Sequence, residues 1–306
     1  MADKTVIRVG HLPITDHLIL GLTKYKLEKG GETFNHASLE TVSIGGWNQV
    51  ADSLANGEIN AAFILAPTAM DLYKSGVPIK MVMFTHRTGS VLITNKRANI
   101  QTLEDFAGKV IIIPYQLSVH HMLLHKLLSE KGMVPGKDVM LEVMAPGQMP
   151  MAIQYDEEGE VGGFIVAEPF GSQAVAEGYG EEFALSKDIW PNHPCCVCVM
   201  TEELTKGHPD AVLELIKSLE VSGRYASQKP AGAAAVGAWF FNQKREIMER
   251  VLVGEVQRIR TDELLPVVED LTVIQDYMCD KMGVLSEKID LEKFVDASFA
   301  QEAGCK

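Results

Sequence analysis

The sequence contains few cysteines and no long hydrophobic run. Five cysteines in 306 residues do not indicate a disulfide framework, and Cys195, Cys196 and Cys198 stand too close together to bridge one another without strain. No window approaches the ~20 apolar residues of a membrane helix. Residues 1–5 lack the apolar segment of a secretory signal, so we expect no such leader within this chain.

Basic residues are also scarce relative to acidic ones. Lys and Arg number 28 against 41 Asp and Glu, which gives a formal net charge of −13. Such a surface repels phosphate backbones and anionic lipids, so we expect no nucleic-acid partner and no membrane partner recruited by charge. An anionic small ligand remains possible, because the local dipoles of a pocket decide what it binds.

What is present is an alternation of strand and helix signals over the first two thirds of the chain, followed by a helical tail. The predicted strands lie near residues 5–12, 34–44, 61–65, 79–85, 90–95, 110–114, 139–144, 163–166, 183–185 and 195–200. The predicted helices lie near residues 17–29, 46–57, 67–75, 102–107, 118–131, 148–157 and 170–177, then from 209 onward and at 231–253, 261–282 and 291–302.

The pattern starts twice, which predicts two α/β lobes and a helical tail packed on the first lobe. We expect residues 1–89 and 195–306 to form lobe one and residues 90–194 to form lobe two. The chain then crosses between the lobes near residues 87–91 and 190–196. Two crossovers make a hinge, and the cleft between the lobes is a natural place for a small ligand.

Five short motifs in order resemble one family of proteins. They are Gly10-His11-Leu12-Pro13, the stretch 57–62 (GEINAA), the stretch 102–110 (TLEDFAGKV), Ala167-Glu168-Pro169-Phe170 and the stretch 190–194 (WPNHP). Together they resemble the solute-binding proteins of nitrate/sulfonate/taurine-type ABC importers over roughly residues 5–225. This resemblance implies the two-lobe periplasmic-binding-protein type II fold, an ABC permease with its ATPase as partner, a periplasmic or other extracytoplasmic location, and a monomer.

The resemblance also implies a set of ligand-binding residues. Residues 115–120 follow a predicted strand and open a helix, a place where free N–H groups favour an anion. Ser118 and His120 match the family's polar pair there, although Ser118 could simply cap the helix. The complete expected set is His11, Trp47, Pro67, Thr68, Arg87, Thr88, Gly89, Ser118, Val119, His120, Gln148, Glu168, His193 and Cys196.

Some of these residues have an equally ordinary interpretation. Trp47 matches an aromatic residue that closes the family's cleft, but it could be a core tryptophan. Arg87 could supply a charge or stand solvated at the hinge, and Gln148 could bind an oxyanion or face water. His121 and His125 share a helix face without a third ligand in sequence, so we expect no metal site there and no cofactor.

Two further functions stay open at this point. Residues 194–198 (PCCVC) look similar to a cysteine-rich run in yeast thiamine-pyrimidine synthase, an enzyme of the same superfamily. That enzyme needs a lysine where this chain has Ile64 and a histidine where it has Thr68, so no Schiff base can form and we expect no enzyme. A cytosolic ligand sensor is the other alternative.

The expected ligand is a small organic anion such as a sulfonate. In the nitrate and bicarbonate branch, as the resemblance implies, an acid and then a cleft-facing lysine follow the WPNHP-like motif. Cys195 and Cys196 occupy those places here. A buried inorganic oxyanion without a countercharge is costly, so the pocket favours an apolar body with one polar head.

Overall fold

The computed structural model describes residues 4–306. The strands are β1 (Thr5–His11), β2 (Ala37–Ser43), β3 (Ala61–Leu65), β4 (Ile79–Phe84), β5 (Arg87–Thr88), β6 (Ser90–Asn95), β7 (Val110–Ile113), β8 (Met140–Val143), β9 (Val161–Ala167), β10 (Gly180–Leu185), β11 (Cys196–Thr201) and β12 (Ile259–Arg260).

The helices connect these strands and then form the tail. They are α1 (Leu18–Glu28), α2 (Trp47–Ala55), α3 (Ala66–Lys74), α4 (Val119–Ser129), α5 (Met149–Gln154), α6 (Phe170–Ala176), α7 (Ser186–Ile189), α8 (Glu202–Gly207), α9 (Pro209–Gln228), α10 (Pro230–Phe240), α11 (Arg245–Leu252), α12 (Val268–Asp280), α13 (Leu291–Phe294) and α14 (Ser298–Glu302). None of the helices in residues 4–306 has the length and apolar composition needed to cross a bilayer.

Two five-stranded sheets form the two lobes, which confirms the predicted fold class. The first sheet has the order β2-β1-β3-β11-β4, and the second has the order β10-β6-β9-β7-β8. Strand β11 follows the second sheet in sequence but pairs antiparallel with β3 and β4 of the first. The chain therefore passes between the two sheets twice.

The tail is more broken than the sequence predicted. The expected helix 231–253 is interrupted where Asn242 has a φ of 51°, a left-handed conformation that a helix cannot accommodate. The expected helix 261–282 begins only at α12, because Pro266 stands just before it and the chain leaves strand β12 only at residue 260. The segment 291–302 forms the two short helices α13 and α14.

The tail packs on the first lobe and also reaches the second. Helices α9 and α10 pack against α1 of the first lobe, whereas α11 contacts α6 and α12 contacts α4 of the second lobe. Strand β12 pairs antiparallel with β5 in the first crossover, with Ile259 opposite Thr88. The tail thus braces the hinge as well as one lobe.

Candidate functional site

The two crossovers lie side by side at the hinge. Arg87 forms an antiparallel bridge with Pro194, and the Thr88 N–H donates to the His193 carbonyl over 2.9 Å. The end of the first crossover therefore faces the start of β11. Side chains from both crossovers meet at this junction, together with the loop that follows β1.

An acid, an imidazole and two thiols converge there. The donor atoms of Asp16, His86, Cys195 and Cys196 all lie within 4.8 Å of one another, and all four side chains are buried. Asp16 Oδ2 is 3.1 Å from His86 Nε2 and 4.0 Å from Cys196 Sγ. The Cys196 N–H donates to the same His86 nitrogen over 3.2 Å.

Mutual electrostatics shift the pKa values in this group of four, which we call the hinge cluster. Burial lowers the pKa of His86, but the Asp16 carboxylate more than offsets this and raises it to about 10. Burial raises the pKa of Asp16 in spite of the same contact. The Cys196 thiol and the His86 ring favour the Cys195 thiolate and lower the Cys195 pKa. Burial raises the pKa of Cys196.

Four further buried histidines surround the hinge cluster: His11, His17, His120 and His193. Burial lowers the pKa of His11 to about 4, of His120 to about 3 and of His193 to about 4. Burial also places the pKa of His17 well below its usual range. These rings are therefore neutral near pH 7, and each offers one donor and one acceptor.

The tautomers of two of these rings follow from their neighbours. His11 Nδ1 lies 3.0 Å from the Leu12 carbonyl, and His193 Nδ1 lies 3.1 Å from the Pro194 carbonyl. A carbonyl only accepts, so Nδ1 carries the proton and Nε2 keeps a free lone pair in each ring. Neither Nε2 atom has a hydrogen-bond partner in the described residues.

Trp47 stands at the edge of the same region. It is the first residue of α2, is 1% exposed, and meets the His17 ring edge-on at 5.8 Å between centroids. Its indole Nε1–H, which can only donate, also lacks a partner within residues 4–306. The structure thus places Trp47 both in the core and beside the His17 ring.

The predicted helix start at residues 118–120 is built as a cap. Ser118 Oγ accepts from the His121 N–H over 3.1 Å and donates to the Tyr115 carbonyl over 2.7 Å. Val119 is fully buried, and His120 Nε2 lies 2.9 Å from Ser90 Oγ at the start of β6. His120 Nδ1 has no partner in the described chain. Of these three residues, His120 has a buried side-chain nitrogen without a partner in residues 4–306. We call His11, His17, His120 and His193 together the histidine group.

The two histidines that follow on α4 are engaged elsewhere. His121 Nδ1 is 2.9 Å from the Gln116 carbonyl, and His125 Nδ1 is 3.1 Å from the Tyr277 hydroxyl of α12. His121 and His125 are not among the converging metal donors of the described residues.

Pro67 and Thr68 open α3, where they join the lobes. Pro67 is buried in the first turn, and Thr68 Oγ1 donates to the Leu117 carbonyl of the second lobe over 2.8 Å. A second bond across the cleft runs from Thr15 N–H to the Glu168 carbonyl over 2.8 Å. The structure therefore shows the lobes closed on each other.

The crossover residues Arg87, Thr88 and Gly89 have separate roles. Arg87 pairs with Asp270 of α12 at 2.7 Å, so its charge is already balanced by the tail. Thr88 Oγ1 donates to the Arg258 carbonyl over 2.8 Å. Gly89 has a φ of +101°, and a Cβ there would lie 3.0 Å from Asp16 Oδ1. Of the three, Gly89 permits the closest approach to the hinge cluster.

Gln148 and Glu168 lie outside the histidine group. Gln148 is exposed at the end of a short turn before α5. The Glu168 carboxylate is buried and accepts from Ser172 N–H and Oγ, each over 2.8 Å, and from Arg258 Nη1 over 3.2 Å. Its hydrogen-bonding capacity is spent on the protein.

Sequence reasoning omitted Asp16, His17, Thr85, His86 and Cys195 from the expected site. Asp16 and His17 follow the carboxyl end of β1, and Thr85 and His86 immediately precede the predicted first crossover. Their polar character at the ends of buried strands was the available signal, because such ends face a cleft in open α/β sheets.

The cysteines of β11 do not follow the simple alternation of a strand. Simple alternation would place Cys196 and Cys198 on one face of the strand. Instead Cys196 packs with Cys195 in the apolar cluster that includes Trp47, whereas Cys198 packs with Met200 and Phe63 in another cluster. Cys196 is the first residue of β11, where the chain leaves the crossover, and a register shift between Cys198 and Val199 interrupts the pairing with β4.

Sequence comparison finds relatives among transport proteins. The nitrate import ATP-binding protein NrtC of Synechocystis sp. is 31% identical over 247 residues, or 74% of this chain and 36% of that protein. The nitrate/nitrite binding protein NrtA of Nostoc sp. is 24% identical over 238 residues, or 71% of this chain and 53% of that protein. The chain thus spans about a third to a half of the length of these curated relatives.

Solved structures share the fold across nearly the whole chain. The zinc-bound ligand-binding component of an ABC-type import system from Staphylococcus aureus is 27% identical with a TM-score of 0.87, covering 98% of this chain and 99% of that one. The nitrate-binding protein NrtA of Synechocystis is 18% identical with a TM-score of 0.88, covering 99% and 89%. The alkanesulfonate-binding protein SsuA from Xanthomonas axonopodis, bound to MOPS, is 16% identical with a TM-score of 0.80, covering 97% and 99%.

These findings confirm the resemblance to nitrate- and sulfonate-type solute-binding proteins that the five motifs predicted. The profile of the NMT1-like family matches residues 1–240. Because this match covers most of the 306 residues, the chain belongs to the NMT1-like family.

Proposed function

We propose that this protein is the solute-binding component of an ABC importer and that it closes its two lobes around a small solute at the hinge. It acts without catalysis, as a monomer on the outer side of the membrane, and delivers the solute to a permease with its ATPase. The solute-binding site comprises the histidine group, Trp47 and the hinge cluster.

The observation that carries this proposal is the concentration of unpaired polar atoms at one place. Buried polar groups in proteins are almost always hydrogen-bonded, because an unpaired one costs ~1–3 kcal/mol. In the described chain, the buried side-chain atoms without a partner are His11 Nε2, Asp16 Oδ1, His17 Nε2, Trp47 Nε1, Thr85 Oγ1, His86 Nδ1, His120 Nδ1 and His193 Nε2. All belong to the junction of the two lobes, as expected for groups reserved for a ligand.

The relatives support a transport role and name several chemistries. Their names include nitrate, alkanesulfonate with MOPS, and a zinc-bound import component. Likeness to the solved nitrate- and alkanesulfonate-binding structures is below 20% identity, so it supports the fold rather than the ligand. The choice of solute for this chain has to come from its own residues.

For the solute we propose a small organic acid, such as a sulfonate. The Trp47 Nε1–H can only donate, so it suits an acidic oxygen, and the Trp47 ring offers an apolar surface to the body of the solute. Arg87 does not supply the countercharge, since it pairs with Asp270.

A titration panel with matched tryptophan variants tests the proposal. Nitrate, bicarbonate, and alkyl and aryl sulfonates are titrated into the purified chain, with binding followed by calorimetry and thermal unfolding. A solute present at ~100 times its Kd should stabilise the fold by ~2.7 kcal/mol. Trp47→Phe keeps the ring but loses the N–H, so it should weaken the binding of the acid that responds.

Trp239→Phe serves as the control because Trp239 is 46% exposed on α10. It should leave affinity unchanged. A protein that responds to no solute in the panel would contradict the proposed function. Equal losses in the two variants would remove Trp47 from the site.

A further inference from the structure

The hinge cluster borders the proposed solute site, but the binding of an organic acid does not by itself explain its combination of donor atoms. It is the one group of at least three His, Cys, Asp or Glu side chains in residues 4–306 whose ligand atoms converge. All four residues are at most 1% exposed. Solvated acidic clusters are common at surfaces, but a buried set of carboxylate, imidazole and two thiols is the chemistry of a transition-metal centre.

We propose that Asp16, His86, Cys195 and Cys196 bind one divalent transition-metal ion of the zinc class at the floor of the cleft. The site rests on its own geometry and does not depend on whether the protein serves an importer.

His86 Nε2 has two contacts that one protonation state of the ring cannot both satisfy. His86 Nε2 is 3.1 Å from Asp16 Oδ2 and also faces the Cys196 N–H at 3.2 Å. A protonated Nε2 can donate to the carboxylate but repels the N–H, whereas an unprotonated Nε2 accepts the N–H but repels the carboxylate. A cation between Asp16 and His86 resolves this conflict, because it attracts the carboxylate and the Nε2 lone pair together.

The separations fit a common ion. Metal–ligand bonds of ~2.0–2.3 Å to oxygen, nitrogen and sulfur place neighbouring donor atoms roughly 3–4 Å apart around a tetrahedral centre. Asp16 Oδ2 lies 3.1 Å from His86 Nε2 and 4.0 Å from Cys196 Sγ. These distances require only small side-chain movements for coordination.

The donor types narrow the class of metal. Thiolate ligands disfavour Mg²⁺ and Ca²⁺, which take oxygen ligands, and the carboxylate disfavours Cu(I), which prefers soft ligands. The Asp16 carboxylate and the two cysteines, which coordinate as thiolates, more than balance the two charges of a divalent ion, so the ion is not a buried charge without a partner. Zn²⁺ takes this mixture of ligands in tetrahedral geometry, and Co²⁺ can report on the same site.

The position of the ion has a structural consequence. It joins the loop after β1 to both crossovers, since Asp16, His86 and the cysteine pair come from these three segments. Metal binding should therefore fix the three segments relative to one another.

Metal binding is tested on the purified full chain without a metal-binding tag and without added solute. The protein is stripped with a chelator under reducing, oxygen-free conditions, and one equivalent of Zn²⁺ or Co²⁺ is added before gel filtration. We expect about one ion retained per chain. The Co²⁺ protein should show a thiolate-to-cobalt charge-transfer band and the strong visible bands of a tetrahedral centre.

Single substitutions assign the ligands. Cys195→Ser, Cys196→Ser and Asp16→Asn should each weaken Zn²⁺ binding by more than about 100-fold, since even outer-shell changes cost ~10–100-fold. Cys279→Ser is the matched control, because Cys279 is a partly exposed free thiol on α12, remote in sequence from the hinge cluster. Circular dichroism shows whether each variant is folded.

Three results would overturn the site. They are failure of the folded wild-type chain to retain Zn²⁺ and Co²⁺, a Co²⁺ spectrum without the sulfur band, and equal loss of metal in Cys279→Ser and Cys195→Ser. The importer proposal can fail separately. A metal-loaded protein that binds no solute contradicts solute binding and leaves the metal site standing, and a metal-free protein that binds a sulfonate does the reverse.

Discussion

At the scale of single residues, burial decides the charge of the histidines around the cleft. His11 and His120 are each about 1% exposed, and burial lowers their pKa values to about 4 and about 3. Their ordinary value of 6.5 applies in the unfolded chain. Four buried histidines, His11, His17, His120 and His193, would repel one another if charged, and neutrality lets them share one apolar space.

This neutrality predicts a loss of stability in mild acid. Below pH 6.5 the unfolded chain takes up protons that folded His11 and His120 do not bind, so the free energy of unfolding falls as pH falls towards their folded pKa values. Each should cost about 2 kcal/mol at pH 5 relative to pH 7. Urea unfolding at the two pH values, with chelator present, measures the loss.

Replacement of one titrating ring isolates its share of this loss. His120→Gln should reduce the difference between pH 7 and pH 5 by about 2 kcal/mol. His208→Gln is the control, because His208 is exposed before α9. An unchanged difference in His120→Gln would show that His120 is not held neutral in the folded state.

At the scale of elements, single side chains attach the helical tail to both lobes. Arg258, just before β12, bonds to the buried Glu168 of the second lobe at 3.2 Å and to Glu182 at 2.6 Å. Glu214 on α9 accepts the N–H groups of Asn35, His36 and Ala37 at the start of β2. These contacts explain how a tail without a five-stranded sheet of its own is held.

Removal of Arg258 should destabilise the fold severely. Glu168 is 1% exposed, so Arg258→Ala leaves a buried carboxylate without its cation and should cost ~3–5 kcal/mol. Adding Glu168→Gln removes the stranded charge and should recover much of that loss. Chemical denaturation of the two variants and the double variant gives the coupling energy, and additive losses would contradict the pairing.

The Glu214 anchor should depend on pH in the opposite sense to the histidines. Burial opposes the charged form of Glu214, but the three N–H groups outweigh it and lower its pKa below the usual 4.5. Its contribution is present above pH ~4.5 and is lost as pH falls through the folded pKa. Glu214→Gln should cost about 1–2 kcal/mol at pH 7 and much less near pH 3. Glu246→Gln, exposed on α11, should cost little at either pH.

At the scale of the whole molecule, hydrogen bonds across the cleft hold the lobes closed. Thr68 Oγ1 donates to the Leu117 carbonyl over 2.8 Å, and Thr15 Oγ1 donates to the Glu168 carbonyl over 2.9 Å. The largest apolar cluster includes Trp47 of the first lobe and Ile165 of the second. Opening must break these contacts, so the balance between open and closed forms should respond to single bonds.

Thr68→Val should shift this balance towards the open form. Valine keeps the shape of the side chain but loses one bond worth ~1 kcal/mol, which changes the ratio of the two forms about fivefold. Small-angle scattering should show a larger radius of gyration for the variant than for the wild type. Thr205→Val is the control, since Thr205 bonds within the first lobe to the Glu202 carbonyl. Identical scattering of all three proteins would contradict the role of Thr68.

The main alternation of strands and helices, the fold class and the family could be predicted from the sequence alone. Those features depend on hydrophobic periodicity and on short motifs, which are local in the chain. The boundaries of the tail helices were less predictable, because Asn242 adopts a left-handed conformation and β12 pairs with β5, 171 positions away counted from Thr88 to its partner Ile259.

The composition of the site could not be predicted from the sequence, because it depends on the tertiary fold. Asp16, His86 and the Cys195–Cys196 pair come from three segments far apart in sequence, and no spacing in the chain indicates that their donor atoms meet within 4.8 Å. Tertiary contacts also neutralise two predicted site residues: Arg87 pairs with Asp270, and Glu168 pairs with Arg258. Motifs report which residue types stand near a cleft, whereas burial and partners decide which atoms remain free to bind, because both depend on the whole fold.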